Sequence, residues 1–472
     1  MMKHITRVCV AGALVMAGVW AFAEEPIDLG GRLEPMADDY LVERFEGGAE
    51  LELHHPANQE VVLVHDAPWE GNTCAYHTVF QDEDKYRMYY RGSHHSPGDS
   101  ATHQVVCYAE SEDGIHWTKP NLDLVEFEGS KENNIIWDAI GSHNFAPFKD
   151  KNPEAARDAK YKAVGRGPGG LYPFKSEDAI HWELMSDEPV ITEGDFDSQN
   201  IAFYDTERGE YLSFHRKSRD GVRDIMTCSS DDFLNWTQPV FLEYPDAPKE
   251  HLYTNQITPY PRAPHIYMGF PKRFVPGRDS PAGHAMPGVS DGVFMTSRDG
   301  HGFSRWGEAF LRPGPQRERW VNRNNMIAWG IVNTASAMDG APDELSIYST
   351  EDYYQGEACL LRRHTLRMDG FVSVNAPLAG GEIVTKPLTF EGGKLAINFA
   401  SSAAGSVRVE MQEADGTPIE GYALTDCPAI YGDSIERIIE WESGSDVSDL
   451  AGKAVRLRFE LKDADLYALQ FK

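Results

Sequence analysis

Hydrophobic and polar residues alternate along most of this chain in short runs broken by turn residues. Before residue 111 the runs Tyr76–Phe80 and Tyr86–Arg91 flank the polar turn 81–84, and a third run covers 104–109. Between residues 200 and 230 the same layout returns as Ile201–Tyr204, Tyr211–His215 and Asp224–Cys228. A period of two over four to eight residues is the signature of a half-buried strand. Each group of three strands leads into one motif. Ser111-Glu-Asp-Gly-Ile-His-Trp117 recurs as Ser176-Glu-Asp-Ala-Ile-His-Trp182, as Ser230-Asp-Asp-Phe-Leu-Asn-Trp236 and as Ser297-Arg-Asp-Gly-His-Gly-Phe303. A degenerate fifth copy begins at Ser349-Thr-Glu351. A repeat every 52–67 residues marks stacked supersecondary units. Strand, turn, strand, loop, strand, motif and a short edge strand, five times over, predict a five-bladed β-propeller. The expected blades are 66–125, 133–190, 197–245, 252–312 and 320–376. The segment 24–65 is expected to add a closing strand. The motif residues read as structural: Ser and Asp for the turn, Trp for packing between blades.

Beyond Pro377 the pattern changes. Val455-Arg-Leu-Arg-Phe-Glu-Leu461 alternates strictly, and Asp415-Gly416 marks a hairpin turn. The prediction is all-β: a propeller over 24–378 and a C-terminal β-sandwich over 379–472. The sandwich would buttress the propeller or bind glycan.

Charge narrows the function. The 472 residues hold 74 Asp and Glu against 44 Lys and Arg, a net charge of −30. That balance argues against nucleic acid and against an anionic membrane surface as partners. Residues 1–23 carry Lys3 and Arg7, then an apolar run, then Ala21-Phe-Ala23. This reads as a signal peptide, removed on export to the periplasm or medium, with no membrane insertion afterwards. The apolar run of about 15 residues is shorter than the roughly 20 that span a bilayer. Cys74, Cys107, Cys228, Cys359 and Cys427 remain, without a CxxC pair. They read as buried free thiols, with a Cys74–Cys107 disulfide as the alternative.

The five-fold Ser-x-Asp-x-x-x-Trp pattern resembles that of the five-bladed glycoside hydrolases of families 32, 43, 68 and 117, over about 66–376. The family 32 signatures Asn-Asp-Pro-Asn-Gly, Arg-Asp-Pro and Glu-Cys are absent. The chain looks like a branch found in polysaccharide-digesting bacteria. The strings Trp69-Glu-Gly-Asn72, Gly141-Ser-His-Asn144, Asp197-Ser-Gln-Asn200 and Asn322-Arg-Asn-Asn325 look like its inner-strand motifs. The resemblance implies a central pit with a carboxylate from blade one, a tuning group from blade two and an acid from blade three. Carried over residue by residue, it makes Glu70, His143 and Asp197 the candidate catalytic groups. His143 stands where the resembled enzymes have Asp and would act as tuner or proton donor. The candidate substrate contacts are Trp69, Asn72, Arg91, Asn144, Asp195, His215, Arg216, Asn255, Arg273, Trp320 and Arg323. For each, a loop or packing role is the alternative. Arginines in so acidic a chain point to an anionic sugar, or pair with its own carboxylates.

The expected activity is hydrolysis of a terminal furanose, anhydro or acidic sugar. Alternatives are a carbohydrate-binding propeller without catalysis, whose pit would be dominated by aromatic and Arg residues, and a glycoside phosphorylase, which export disfavours. No cofactor is required. Calcium remains open on oxygen ligands alone, since no EF-hand spacing occurs and no metal site is predicted.

Overall fold

The computed structural model describes residues 25–96, 103–245 and 247–472. The expected signal peptide, 1–23, lies outside them. Among the described residues the fold is all-β, relieved only by single 3₁₀ turns at Arg157–Ala159, Arg317–Arg319 and Ser448–Leu450. No helix there is long and apolar enough to cross a membrane.

Five antiparallel sheets follow one another in sequence order. The first is Ala75–Asp82, Lys85–Gly92, Val105–Ser111 and Trp117–Thr118, joined by Ile135–Trp137. The second is Ala146–Lys149, Tyr161–Gly167, Gly170–Ser176 and Glu183–Leu184. The third is Ile201–Asp205, Glu210–Arg219, Val222–Ser230 and Val240–Phe241. The fourth, Thr258–Tyr260, Ala263–Gly269, Met295–Ser297 and Ser304–Arg305, carries beside it a small sheet of His251–Leu252, Lys272–Val275 and Val289–Gly292. In the fifth, Glu344–Glu351 pairs both Met326–Ile327 and Leu360–Arg367, and Ala57–Val64 forms the outer edge.

The repeated motif builds the same turn four times. The Ser111 hydroxyl accepts the Gly114 amide at 2.9 Å, and Asp113 accepts the amides of Ile115 and His116 at 2.8 Å. The Trp117 indole closes the turn on the Gly114 carbonyl at 3.1 Å. Ser176, Asp178 and Trp182 repeat these bonds, as do Ser230, Asp232 and Trp236. Ser297 and Asp299 repeat the first two. The third residue after Ser is left-handed in every copy: Gly114, Ala179, Phe233 and Gly300, with φ between 68° and 73°. Two copies therefore use glycine for conformational reasons, and two hold a side chain in strain. Tyr348 of the fifth sheet donates to the Gly114 carbonyl at 2.6 Å, and Tyr89 of the first to that of Ala179 at 2.9 Å. The turn thus receives its neighbour's tyrosine. The fifth copy breaks the rule: Ser349 bonds His364, and Glu351 pairs with Arg319 and Arg362.

Contacts join the sheets to one another. Backbone bonds of 2.8 Å run from Trp329 to His77 and from Val79 to Trp329, joining the fifth sheet to the first. A Cβ on Gly330, φ +121°, would sit 1.8 Å from the Val79 carbonyl oxygen, so only glycine permits that approach. Gln199 of the third sheet's entry loop donates to the Tyr76 and His77 carbonyls and accepts from Gln256 of the fourth. One cavity is lined from all five sheets, by Thr78, Phe148, Phe203, Thr258 and Trp329 among others.

The C-terminal region corrects the expected partition. Leu395–Glu413 and Val455–Phe471 are long paired strands in one ten-stranded sheet, and Asp415-Gly416 does turn the backbone between Glu413 and Thr417. That sheet also takes in Ile27–Asp28, Glu34–Pro35, Val42–Gly47, Glu50–Leu53 and Val372–Ala376. A cut at 378 therefore falls inside a sheet. Of the segment 24–65 only Ala57–Val64 closes the repeat; the rest belongs with the C-terminal strands, whose core it shares through Leu29, Met36 and Leu41. All five described cysteines are free and buried, so Cys74 and Cys107 are not bridged.

Candidate functional site

The loops entering the first strand of each unit converge on one cluster, and a recurrent asparagine holds them. Asn144 donates to the carbonyls of Phe196, at 2.6 Å, and Ser198. Asn200 donates to the same two at 3.2 and 3.0 Å. Asn72 donates to the His95 and Gly356 carbonyls, Asn255 to that of Phe214, and Asn325 to those of Ser290 and Arg319. All five are buried. Asn72, Asn144 and Asn255, expected to touch substrate, are instead staples that set loop shape. Asn144 and Asn200 fix the backbone on both sides of Asp197.

Asp197, from the third sheet's entry loop, is exposed and pairs with Arg216. Its carbonyl accepts the phenols of Tyr76 at 2.9 Å and Tyr253 at 3.3 Å and lies 3.3 Å from His143 Nε2. The two phenols are 3.0 Å apart. Arg91 lies over the Tyr76 ring at 4.8 Å and donates to the Tyr353 phenol at 2.7 Å. Around the Tyr253 ring stand Lys272 at 4.5 Å, Arg216 at 5.1 Å, Arg323 at 5.6 Å and Arg223 at 5.9 Å. Arg323, left-handed at φ 75°, also covers Tyr353 and Tyr354. Beside the cluster, Asp195, Asp197, Arg166, Thr192, Phe196 and Arg216 line an open cleft of about 600 Å³.

The electrostatics follow from five cations crowded together. Burial, then Arg323, Arg223 and Arg216, push the Lys272 amine well below its ordinary value; it donates to Asn322 at 3.0 Å. Burial raises the Tyr253 phenol, but Arg323, the Tyr76 hydrogen bond, Arg216 and Arg91 outweigh it and bring it below the usual value. Burial, then Arg91, Arg166, Arg323 and Arg216, depress His143 to about 3. At neutral pH this imidazole is in its neutral form. Its Nδ1 faces Gln104 at 3.1 Å and Arg91 at 3.5 Å.

Glu70 is elsewhere. Its side chain is 0% exposed, although the sequence string promised a pit carboxylate. It accepts the Tyr90 phenol and the Lys119 ammonium, each at 2.6 Å, and the Ala67 amide at 3.0 Å. Burial alone would raise its carboxyl. His65 and Lys119 hold it down at about 2. His65 Nδ1 stands 3.9 Å away and burial drives that ring neutral, so Lys119 is the charge that matters. With its oxygens satisfied, Glu70 is a structural anchor and makes no paired acid with Asp197. Trp69 beside it bonds Asn134 at 2.7 Å and packs on Phe127, away from the cluster.

The other candidates divide. Asp195 accepts the Ser218 amide and hydroxyl at 2.8 and 2.7 Å but keeps a place in the cleft wall. His215 is buried against Phe196, bonds the Glu193 carbonyl at 2.9 Å and is lowered to about 4 by burial. Arg273 is taken up by Asp291 and Glu250, and the Trp320 indole by the Gly314 carbonyl. Tyr76, Tyr353, Tyr354 and Arg223 join the cluster without having been singled out. Tyr76 sits inside an expected strand, and only its left-handed φ of 60° turns it inward. No group of three or more His, Cys, Asp or Glu among the described residues is arranged to hold a metal.

No family model matches the chain. An uncharacterized protein of Mycobacterium tuberculosis is 29% identical over 144 residues, which are 28% of this chain and 41% of that protein. The match thus spans less than half the length of that relative. Solved structures give partial overlaps. A BT0996–RGII complex overlaps 67% of this chain and 93% of its own length at 14% identity, TM-score 0.46. An N-acetylgalactosamine deacetylase from F. plautii overlaps 68% and 96% at 12% identity, TM-score 0.44. The α-L-arabinofuranosidase of Podospora anserina overlaps 67% and 98% at 10% identity, TM-score 0.42. Glycoside hydrolases recur among the overlapping structures, but these three all fall below 0.5, and the functional reading rests on the site itself.

Proposed function

We propose that this chain is an exported, carbohydrate-active five-bladed β-propeller, a glycoside hydrolase that works at the Asp197 cleft. Five consecutive antiparallel sheets of four or five strands, a fifth-to-first backbone junction and a cavity lined from all five support the propeller. The observation that carries the function is the convergence of polar side chains from every unit on one largely buried cluster beside the open cleft. Tyr76 and Arg91 come from the first, His143 from the loop into the second, Asp197 and Arg216 from the third, Tyr253 and Lys272 from the fourth, Arg323 and Tyr353 from the fifth. Tyrosine faces and planar guanidinium groups suit a sugar ring with its hydroxyls. Asp197, an exposed carboxylate between cluster and cleft, is the group able to move a proton between water and a leaving oxygen. Asp195, on the same wall, is the second carboxylate within the cleft.

The second reading is a propeller that binds carbohydrate without cleaving it. Two observations favour it: Glu70 is closed off, and Arg and Tyr outnumber acids in the site. One experiment separates them. Purified protein lacking residues 1–23 is incubated with neutral, uronic and sulfated polysaccharides beside Asp197→Asn. Reducing sugar released by the parent and lost in the variant supports hydrolysis at Asp197. Release that survives moves the chemistry away from Asp197. Retained glycan binding without release favours the second reading.

A further inference from the structure

The cluster holds more positive charge than it uses. Arg91, Arg216, Arg223, Lys272 and Arg323 surround three buried phenols, and the carboxylate in direct contact with them is Asp197, with Asp195 one step further out. Arg91 is 5% exposed and Arg216 6%. Buried guanidinium groups ordinarily fill their donor positions. Here Arg91 Nε and Arg216 Nε and Nη1 find no partner among the described residues. Other arginines also leave a buried nitrogen open, Arg219, Arg305, Arg319 and Arg367 among them, but each of those pairs with a carboxylate, Asp224, Glu250, Glu351 and Asp433, as Arg273 does with Asp291 and Arg363 with Glu60. Cation–π contact with Tyr76, Tyr253 and Tyr353 softens the crowding but neutralises none of it. Among the described residues no ion pair joins a carboxylate to Arg91, Lys272 or Arg323, in a protein of net charge −30.

We propose that this cluster is an anion subsite that takes the carboxylate or sulfate group of an acidic sugar residue. Arg91, Arg216 and Arg323 supply the guanidinium donors, and the Lys272 amine lies against the Tyr253 ring beside them. Oxyanions match the planar fork of arginine and supply the missing charge. The Tyr253 and Tyr76 rings, buried between these cations, hold the guanidinium groups in place. The proposal rests on the carbohydrate reading for the rest of the ligand, but the anion requirement is separable from it.

The test measures binding by calorimetry and thermal shift on the protein without residues 1–23. The probes are oligogalacturonides (carboxylate), carrageenan oligosaccharides (sulfate), neutral galactan oligosaccharides of matched length, and sodium sulfate against sodium chloride at equal ionic strength. At least one acidic series is expected to bind tenfold or more tightly than the neutral series. Arg216→Met and Arg323→Met are expected to lose a further ten- to a hundredfold, from the loss of a charge-assisted contact. Sulfate is expected to raise the melting temperature of the parent above that in chloride, a readout that survives if a variant folds poorly. The responding series identifies carboxylate or sulfate. Equal affinity for neutral and acidic series, with no sulfate-specific shift, overturns the anion subsite and leaves the carbohydrate reading standing. A sulfate shift abolished in both variants, with no oligosaccharide bound, supports the subsite and removes the carbohydrate reading.

Discussion

Glu70→Gln tests whether the first unit's carboxylate belongs to the chemistry or to the frame. The change preserves shape and removes one charge from beneath Tyr90, leaving Lys119, 21% exposed, without its main partner. A carboxyl held at about 2 against an ordinary 4.5 contributes on the order of 3 kcal/mol at neutral pH. Its folded value is depressed, so the contribution is complete above pH 4.5 and disappears as pH falls from 4.5 towards 2. Independent bookkeeping agrees: losing one partner of a buried ion pair costs about 3–5 kcal/mol. Urea unfolding followed by tryptophan fluorescence between pH 3 and 8 is the assay. The apparent unfolding free energy of the variant should lie about 3 kcal/mol below the parent at pH 7, with the gap narrowing below pH 4.5. Hydrolysis by the folded fraction, if present, should persist. A variant as stable as the parent at pH 7, yet inactive, would place Glu70 in the chemistry and refute its structural role.

Gly330→Ala should be among the worst single changes, because its Cβ would overlap the Val79 carbonyl where the last sheet meets the first. A loss above roughly 3 kcal/mol, seen as insoluble expression, is expected, and a normal melting temperature would contradict the junction. Asn144→Ala removes both bonds to the Phe196 and Ser198 carbonyls. It should cost about 1–3 kcal/mol and weaken ligand binding at Asp197 together, whereas binding unchanged by the loss would separate staple from site. The His143 and His215 rings, held at about 3 and about 4, should show no NMR titration between pH 5 and 8. Because the unfolded protein protonates them near pH 6.5, they subtract stability progressively as pH drops below that value.

The parts of this fold written in local pattern were readable from sequence. The strands flanking residues 81–84 came out within two residues of their expected bounds, and the Ser-x-Asp turn formed four times because its bonds span only three residues. Partnerships between distant segments were not readable. Alternation in 27–53 says that these are strands, not that they pair with 372–471. The site divided in the same way. The four inner-strand strings fall in the loops that enter the first strands, but they do not tell which member of each faces inward. Asparagine, polar and recurrent, turned back to hold backbone, while Tyr76, which reads as the start of a strand, carries the cluster with Tyr253. Glu70 misled because a carboxylate and its Lys119 partner lie 49 residues apart, a contact that no local pattern encodes.

The pairing of early strands with late ones has a kinetic consequence. Ile27 meets Leu388, Glu34 meets Leu469, and Val61 meets Arg362. Segments made first must wait for segments made more than 300 residues later. Loop closure over such distances is slow, and meanwhile apolar strand edges stand unpaired. The middle units can assemble from neighbouring strands as they emerge, but the last unit cannot finish until Leu360–Arg367 has been made, nor the C-terminal sheet until Val455–Phe471 has. Folding should therefore end with a late latching step that draws both flanks together around an already formed centre. A nascent or threaded polypeptide would remain extensible until that step, and protease cutting near residue 55 would release both latches at once.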